Sequence, residues 1–142
     1  ITAFPVEDGE DAWSAEDALL RYLGAGLPAE RITVSSDGGG CLPVFDADGR
    51  VTDMDVGSPG ALAAALRSLL DRGQPLERVL PAFTSNPADL LRLPDKGRIE
   101  AGGDADLVVL NPNGDLTDVM ALGRWHMVDG RAVVRGTFED LQ

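Results

Sequence analysis

The sequence predicts an α/β fold, and two observations carry this prediction. In the first two-thirds of the chain, strand-like segments at 1–5 and 31–36 alternate with apolar residues at helical spacing. In the last third, short apolar runs are separated by glycines, which is typical of a β meander. Alternating strands and helices indicate a parallel sheet or an α/β barrel, and two strands alone complete neither. We therefore expect two incomplete domains, 1–93 and 94–142, with a boundary at the Pro-Asp-Lys-Gly of 94–97.

Helix starts are predicted where a polar residue precedes an apolar stripe. Ser14, with an aspartate three positions later, resembles a capping box. Ser58 and Asn86 each precede a proline, which favours the first helical position. Four helices are therefore expected, over 15–23, 59–72, 76–83 and 88–93. The glycines and aspartates between the first two of these helices predict a long loop from 37 to about 57.

The last third is predicted to contain short strands joined by tight turns. Apolar runs at 106–110, 125–128 and 132–134 are expected to be strands. Between the last two, Asp129 and Gly130 stand between apolar flanks and predict a two-residue hairpin turn.

Composition excludes several classes of partner. The 142 residues include 24 acidic and 12 basic side chains, giving a net charge of −12. Such a surface repels phosphate groups, so we expect neither nucleic acid nor an anionic membrane as partner. No apolar run approaches the roughly 20 residues that a membrane helix needs. The single cysteine permits no intrachain disulfide, and we expect a cytoplasmic protein. A chain that begins in an apolar strand is expected to be a piece of a longer one.

Asp37 is the leading candidate for chemistry. It ends a predicted parallel strand, and in α/β barrels the carboxyl ends of the strands carry the active site. The glycines at 38–40 would let backbone approach a ligand and offer it amide groups. Asp-Gly and Gly-Gly are equally typical of a simple turn, so both interpretations stay open.

Other candidates have weaker support. Cys41 has no second cysteine or nearby base, and His126 has no histidine or carboxylate neighbours, so neither is expected to be a nucleophile or a metal ligand. Four aspartates of the predicted loop lack the terminal glutamate of a calcium-binding loop and are expected to form a solvated face. These are Asp46, Asp48, Asp53 and Asp55.

Several stretches together resemble the amidohydrolase superfamily and, within it, the isoaspartyl dipeptidases. Ser-Ser-Asp-Gly-Gly-Gly-Cys-Leu-Pro at 35–43 resembles the last barrel strand and following loop of these dipeptidases. The segments 84–88, 96–99 and 103–109 are similar to the general amidohydrolase ending. The close of the chain, from 123 to the Gly-Thr-Phe-Glu of 136–139, is similar to isoaspartyl dipeptidases in particular.

The resemblance implies that 1–93 is the C-terminal part of a metal-dependent TIM-type (β/α)8 barrel, with 1–5 as its seventh strand and 31–36 as its eighth. It implies that 94–142 belongs to a small β-sandwich, which the family completes with strands from its own N-terminus. The first partner implied is therefore the missing N-terminal part of the same polypeptide, and a homo-oligomer is also expected.

The resemblance also implies an activity, the zinc-dependent hydrolysis of the β-aspartyl isopeptide bond of a dipeptide. Asp37 would be a ligand of a binuclear zinc site and would carry the proton from the attacking water to the leaving amine. The other ligands lie outside this chain, so the chain alone is expected to be inactive. The implied substrate-binding residues are Gly38, Gly39, Gly40, Cys41 and Pro43. The family has serine at position 41; cysteine is a weaker donor, so backbone amides are expected to make that contact.

Two alternatives remain open at this stage. Another amidohydrolase, acting on cyclic amides as dihydroorotases and hydantoinases do, would have the same fold. A non-catalytic β-rich binding module would use Asp37 only as a turn residue. The upstream sequence distinguishes these, since a His-x-His after an early strand and a lysine midway would identify the enzyme.

Overall fold

The computed structural model describes residues 1–4, 6 and 12–136. The chain divides into two compact units, Ile1–Asn86 and Pro87–Gln142, and each is described by itself. The assignment of 1–93 and 94–142 to two domains stays a prediction. No helix of the described residues is long and apolar enough to cross a membrane.

Helices dominate the first unit. The α-helices are α1 (Ala15–Gly24), α2 (Ala61–Asp71), α3 (Leu76–Val79) and α4 (Ser85–Leu91), the last of which crosses into the second unit. Short 3-10 helices occupy Ala29–Arg31 and Leu80–Phe83. As predicted, Ser14 caps α1, because its Oγ accepts a hydrogen bond of 3.1 Å from the Asp17 amide.

The other two predicted caps are wrong. The N-cap of α2 is Gly60, with no side-chain hydrogen bond, and Ser58 contributes only its carbonyl, which accepts from the Ala61 amide at 3.1 Å. Asn86 lies inside α4 and is buried, so its amide group must find partners within the protein. It donates to the carbonyls of Ala29 and Ile32 at 2.7 and 2.8 Å.

Two extended segments of the first unit run side by side in parallel. The Ser35 amide donates to the Ile1 carbonyl at 2.9 Å, and the Ala3 amide donates to the Ser35 carbonyl at 2.7 Å. Of the predicted strands at 1–5 and 31–36, the described residues form one isolated parallel bridge, between Thr2 and Ser35, and residue 31 belongs to a 3-10 helix. Residue 5 of the other predicted strand lies outside the described residues.

A β-hairpin occupies most of the stretch predicted to be a loop. Strand β1 (Cys41–Phe45) pairs with β2 (Val51–Val56) in antiparallel register. The loop prediction is wrong because acidic and apolar residues alternate from Asp53 to Val56 in β2, which is a strand pattern. A local side chain also stabilises the turn between the two strands. Asp46 Oδ1 accepts hydrogen bonds of 2.9 Å from the amides of both Asp48 and Arg50.

Helices α1 to α3 pack on the two parallel segments and form an apolar core. Leu19, Leu69 and Val79 are fully buried. The complete cluster is Ala3, Ala15, Leu19, Ile32, Val34, Ala65, Leu69, Val79 and Ala82. Burying one leucine side chain contributes roughly 1.5–3 kcal/mol. This cluster includes Ile32 and Val34 and therefore holds the segment 32–36 in place.

The second unit contains a four-stranded antiparallel meander, whose strand at Leu116–Ala121 is not among the predicted runs. Its strands, in spatial and chain order, are β3 (Leu107–Leu110), β4 (Leu116–Ala121), β5 (Arg124–Val128) and β6 (Arg131–Ala132). The predicted hairpin turn is confirmed, since Asp129 and Gly130 have φ of 49° and 73°, the positive values that a type I′ turn requires.

A charged cluster joins the segment before β3 to the turn after β4. Lys96 Nζ lies 2.8 Å from Asp104 Oδ2 and 2.5 Å from Asp106 Oδ2. The other Asp106 oxygen accepts a 2.7 Å hydrogen bond from the Leu122 amide. The two carboxylates raise the pKa of Lys96, Asp104 more than Asp106. Lys96 and then the Leu122 amide lower the pKa of Asp106.

Candidate active site

Asp37 directly follows the parallel segment that the core holds in place. It is exposed and has a φ of 49°, in the left-handed region that is uncommon for residues other than glycine. Within the described part of the chain, its carboxylate has no hydrogen-bond or ion-pair partner. An exposed carboxylate without internal partners is free to bind a ligand from outside.

The backbone after Asp37 forms a tight turn that leads into the hairpin. The Gly40 amide donates to the Asp37 carbonyl at 2.8 Å, which closes the turn. The Gly39 amide donates to the Gly57 carbonyl at 2.8 Å, and the Gly57 amide donates to the Gly40 carbonyl at 2.9 Å. Asp37 is thus both the residue at a strand end and the first residue of a turn.

All three glycine amides are used inside the protein. Besides the two donors just described, the Gly38 amide donates to Ser36 Oγ at 3.1 Å. In this conformation the N–H groups of Gly38, Gly39 and Gly40 are therefore not available to an anionic ligand, which differs from the sequence-based expectation. The part these glycines play in substrate binding stays a prediction, and the structure limits it to groups other than their amides.

Two of these glycines and Gly57 are closely packed. A Cβ at Gly57 would lie 2.3 Å from the Asp37 carbonyl oxygen, and one at Gly40 would lie 2.9 Å from the same atom and 3.2 Å from Asp37 Oδ1. A Cβ at Gly38 would lie 2.9 Å from Pro59 Cγ. Side chains at these positions would displace their neighbours, so the absence of a Cβ is a condition for this arrangement around Asp37.

Cys41 and Pro43 lie farther along β1, and both are exposed. They alternate with Leu42 and therefore share one face of the hairpin, where they stand opposite Val56 and Met54. The five predicted substrate-binding residues thus form one continuous path from Asp37 into the hairpin. Their contact with a substrate stays a prediction.

The described residues offer a metal ion one candidate ligand at this site. A carboxylate oxygen is an ordinary zinc ligand, and catalytic zinc sites use three protein ligands. Nowhere in the described ranges do three or more histidine, cysteine, aspartate or glutamate side chains cluster so that they could hold a metal ion. His126 is exposed on β5 in the second unit. Asp37 therefore fits one position of a metal site whose other ligands would come from elsewhere.

The sequence interpretation missed the roles of Gly57 and Asn86. The sequence predicts only that a loop ends near Gly57, because the contact of Gly57 with Asp37 spans twenty positions of the chain and leaves no local signal. Asn86 was treated as a helix cap. Its side chain instead holds the Ile32 carbonyl at the start of the segment that ends at Asp37.

Comparison with known proteins identifies the family. Residues 15–128 match the sequence model of the amidohydrolase family, which is most of the chain. The chain belongs to the amidohydrolase family. The predicted resemblance is thereby confirmed, and the mixed α/β architecture described above has amidohydrolase-type structural neighbours.

Three relatives show how specific the likeness is. One is the crystal structure of β-aspartyl dipeptidase from the thermophilic, keratin-degrading Fervidobacterium islandicum AW-1 in complex with β-Asp-Leu. It matches this amidohydrolase with a TM-score of 0.81 and 34% identity, and the match covers 98% of this chain and 36% of that one. A dihydroorotase of Halobacterium salinarum is 40% identical over 70 residues, which are 49% of this chain and 16% of that protein. N-acetylglucosamine-6-phosphate deacetylase from Pasteurella multocida, at 14% identity and a TM-score of 0.60 over 89% of this chain and 36% of its own, shows the fold alone.

Proposed function

We propose that this chain is the C-terminal segment of a zinc-dependent β-aspartyl dipeptidase in which Asp37 is a metal ligand and the proton shuttle. The observation that carries the proposal is the match, over nearly the whole chain, to a dipeptidase crystallised with β-Asp-Leu. The chain spans about a third of that relative's length, so the activity of the whole protein is part of the proposal.

The architecture proposed for the whole protein follows from the same match. The parallel segments 1–4 and 32–36 would be the seventh and eighth strands of a (β/α)8 barrel, since neighbouring barrel strands are parallel. The meander of the second unit would belong to a small β-sandwich that strands from the N-terminal part of the polypeptide complete. We further propose a homo-oligomer that works in the cytoplasm.

The chemistry assigned to Asp37 requires a carboxylate with no competing partner. Zinc, when bound, supplies a water of lowered pKa and polarises the substrate carbonyl. Asp37 would take the proton of the attacking water and donate it to the nitrogen of the leaving amine as the C–N bond breaks. Two features support this role: its position at the end of a strand fixed by the core, and the lack of internal partners among the described residues.

The charge of the loop and hairpin limits which part of the substrate they contact. Residues 36–57 contain five aspartates and one arginine, Arg50. This surface repels the carboxylates of a β-aspartyl dipeptide, which would therefore bind to groups outside the loop and hairpin. Cys41 and Pro43 would contact uncharged parts of the substrate, since their face of the hairpin carries apolar neighbours.

A second candidate is an amidohydrolase that acts on cyclic amides. It is favoured by the 40% identity to a dihydroorotase over 70 residues. Asp37 would have the same task there, because opening a cyclic amide also moves a proton from water to the departing nitrogen. The two candidates differ in substrate and share the mechanism.

Two Asp37 variants of the full-length enzyme test the proposal on β-Asp-Leu, α-Asp-Leu and dihydroorotate. Asp37→Asn should lower kcat at least ~100-fold, the lower range for a general acid–base group, with zinc content mostly kept. Asparagine tolerates a φ of 49°, so this change removes the proton acceptor and leaves the turn intact. Asp37→Ala should lose similar activity and some of the metal as well.

Two controls accompany these variants. Asp48→Asn changes an exposed aspartate at the hairpin turn and should keep wild-type activity, and the 142-residue chain alone should release no product. An Asp37→Asn enzyme that keeps more than about a tenth of wild-type kcat would contradict the shuttle role. Turnover of dihydroorotate without turnover of β-Asp-Leu would favour the second candidate, and a full-length protein without zinc or activity would indicate a binding module.

A further inference from the structure

We propose that Gly57 is a positioning residue for Asp37: without a side chain, it lets the end of the hairpin press against the Asp37 backbone and fixes the carboxylate at the strand end. This inference rests on the proposed function, because the reaction that Asp37 serves is the one proposed above. Gly57 acts through Asp37 and is not expected to touch the substrate.

Gly57 joins the end of the hairpin to its beginning. It is buried, whereas all six residues of β2 before it are exposed. Its amide donates to the Gly40 carbonyl at 2.9 Å, and its carbonyl accepts from the Gly39 amide at 2.8 Å. Position 57 is therefore bonded to two of the three glycines of the turn that Asp37 begins.

The contact with Asp37 leaves no room for a side chain. A Cβ at position 57 would lie 2.3 Å from the Asp37 carbonyl oxygen, 3.0 Å from its carbonyl carbon and 3.4 Å from the Ser36 carbonyl oxygen. Real Cβ contacts under 3.0 Å are essentially never observed. All three atoms belong to backbone, so no side-chain rotation relieves the clash, and Asp37 or the hairpin must move.

Asp37 depends on this support because its backbone is strained. An aspartate with a φ of 49° persists only where its surroundings hold it. The hydrogen bond from the Gly40 amide and the packing of Gly57 both act on the Asp37 carbonyl. If the backbone at 57 is pushed away, Asp37 can rotate to a more favourable φ, and its carboxylate then leaves the position set by the strand.

The test compares Gly57→Ala with Gly60→Ala in the full-length enzyme. Gly60 has helical angles (φ −66°, ψ −15°), and a Cβ there would meet only Ser58 Oγ, at an ordinary 3.5 Å. Each variant adds one methyl group, and the two positions are three residues apart in the chain. Gly57→Ala should lower kcat about 10²-fold, the effect of a misplacement of roughly 1 Å, with a much smaller change in KM. It should also weaken zinc affinity, whereas Gly60→Ala should change neither.

A double-mutant cycle on zinc affinity separates positioning from a merely structural role. In an Asp37→Ala enzyme, adding Gly57→Ala should cost little further affinity, because the residue through which Gly57 acts is already gone. If Gly57 only supported the fold in general, Gly57→Ala would lower zinc affinity by the same factor in the wild-type and in the Asp37→Ala enzyme. If Gly57→Ala is insoluble, Gly40→Ala replaces it, with a milder 2.9 Å clash at the same carbonyl oxygen and a smaller loss of zinc affinity expected.

A crystal structure of the Gly57→Ala enzyme gives a readout that needs neither metal nor substrate, and Asp37 should leave the left-handed region there. Wild-type kcat and zinc affinity in Gly57→Ala, full additivity in the cycle, or an Asp37 that keeps its φ and carboxylate position would each overturn the inference. If the wild-type enzyme fails to cleave β-Asp-Leu, the proposed substrate is wrong, while the crystal structure and the zinc cycle still report on Gly57.

Discussion

The two units of the chain are stabilised in different ways. The first buries nine apolar residues in one cluster, whereas Ala88 is the only buried residue among those described in the second. The second unit depends instead on strand hydrogen bonds and on charged contacts such as those of Lys96. The candidate site is therefore supported by the apolar cluster of the first unit, and the second unit has no comparable cluster among its described residues.

The sequence explains the difference. Helices α1 and α2 present leucine and alanine at helical spacing, so one side of each is apolar and packs inward. The strands of the second unit are two to six residues long and leave apolar side chains such as Val108 uncovered. Ile99, in the segment before these strands, is 89% exposed. Our proposal that strands from elsewhere complete this sheet would give these side chains a partner.

The largest effect on stability is expected from a cavity in the apolar cluster of the first unit. Leu69 is fully buried, so Leu69→Ala should lower the free energy of unfolding by ~2–5 kcal/mol, through lost burial and the cavity left behind. Urea denaturation followed by circular dichroism measures this. The matched change Ile99→Ala, made in the same 142-residue chain and so without the strands proposed to complete the sheet, should stay within about 0.5 kcal/mol. A loss at Ile99 as large as that at Leu69 would mean that another segment covers the second unit.

A smaller, local effect is expected from the Lys96 cluster. Asp106→Ala removes both the ion pair with Lys96 and the acceptor of the Leu122 amide, whereas Asp106→Asn keeps an oxygen for that amide. Exchange of the Leu122 amide hydrogen should therefore accelerate more in the alanine variant than in the asparagine variant. Equal rates in both variants would show that the ion pair, and not the hydrogen bond, holds this turn.

The smallest effect concerns pH and distinguishes the two units directly. The pKa of Asp106 lies below its ordinary value of 3.8, so its contribution to stability is present above 3.8 and is lost as pH falls through the lower folded-state pKa. The pKa of Lys96 lies above 10.5, so its contribution persists up to 10.5 and is lost at higher pH. The difference in Tm between wild type and Asp106→Asn should be constant from about pH 5 to 10 and shrink below 3.8. The difference between wild type and Leu69→Ala should not follow this course.

Local signals predicted much of the fold. The capping serine at 14, the apolar stripes of α1 and α2 and the Asp-Gly turn at 129–130 each act within a few residues, so the sequence around them is sufficient. The hairpin at 41–56 was missed because its glycines and aspartates are also typical of loops. The side-chain hydrogen bonds of Asp46 that make them a strand turn appear only in the structure.

The sequence predicts only the part of the candidate site whose residues are adjacent in the chain. Asp37 is recognisable because the strand before it and the glycines after it are adjacent in sequence. The use of all three glycine amides by internal acceptors was not predictable, since the acceptor of one of them, the Gly57 carbonyl, is far along the chain. Contacts between residues distant in sequence require the fold to be known first.

The closure of the hairpin at Gly39, Gly40 and Gly57 has a consequence for evolution and engineering. Residues beyond this closure form a loop whose two ends are already fixed together. Lengthening such a loop costs only about 0.6 kcal/mol per doubling, and the change need not reach the backbone of Asp37. Insertions, deletions or grafted peptides at the Asp46–Arg50 turn can therefore change the length and sequence of the hairpin while the closure at its base, and with it the backbone of Asp37, stays in place.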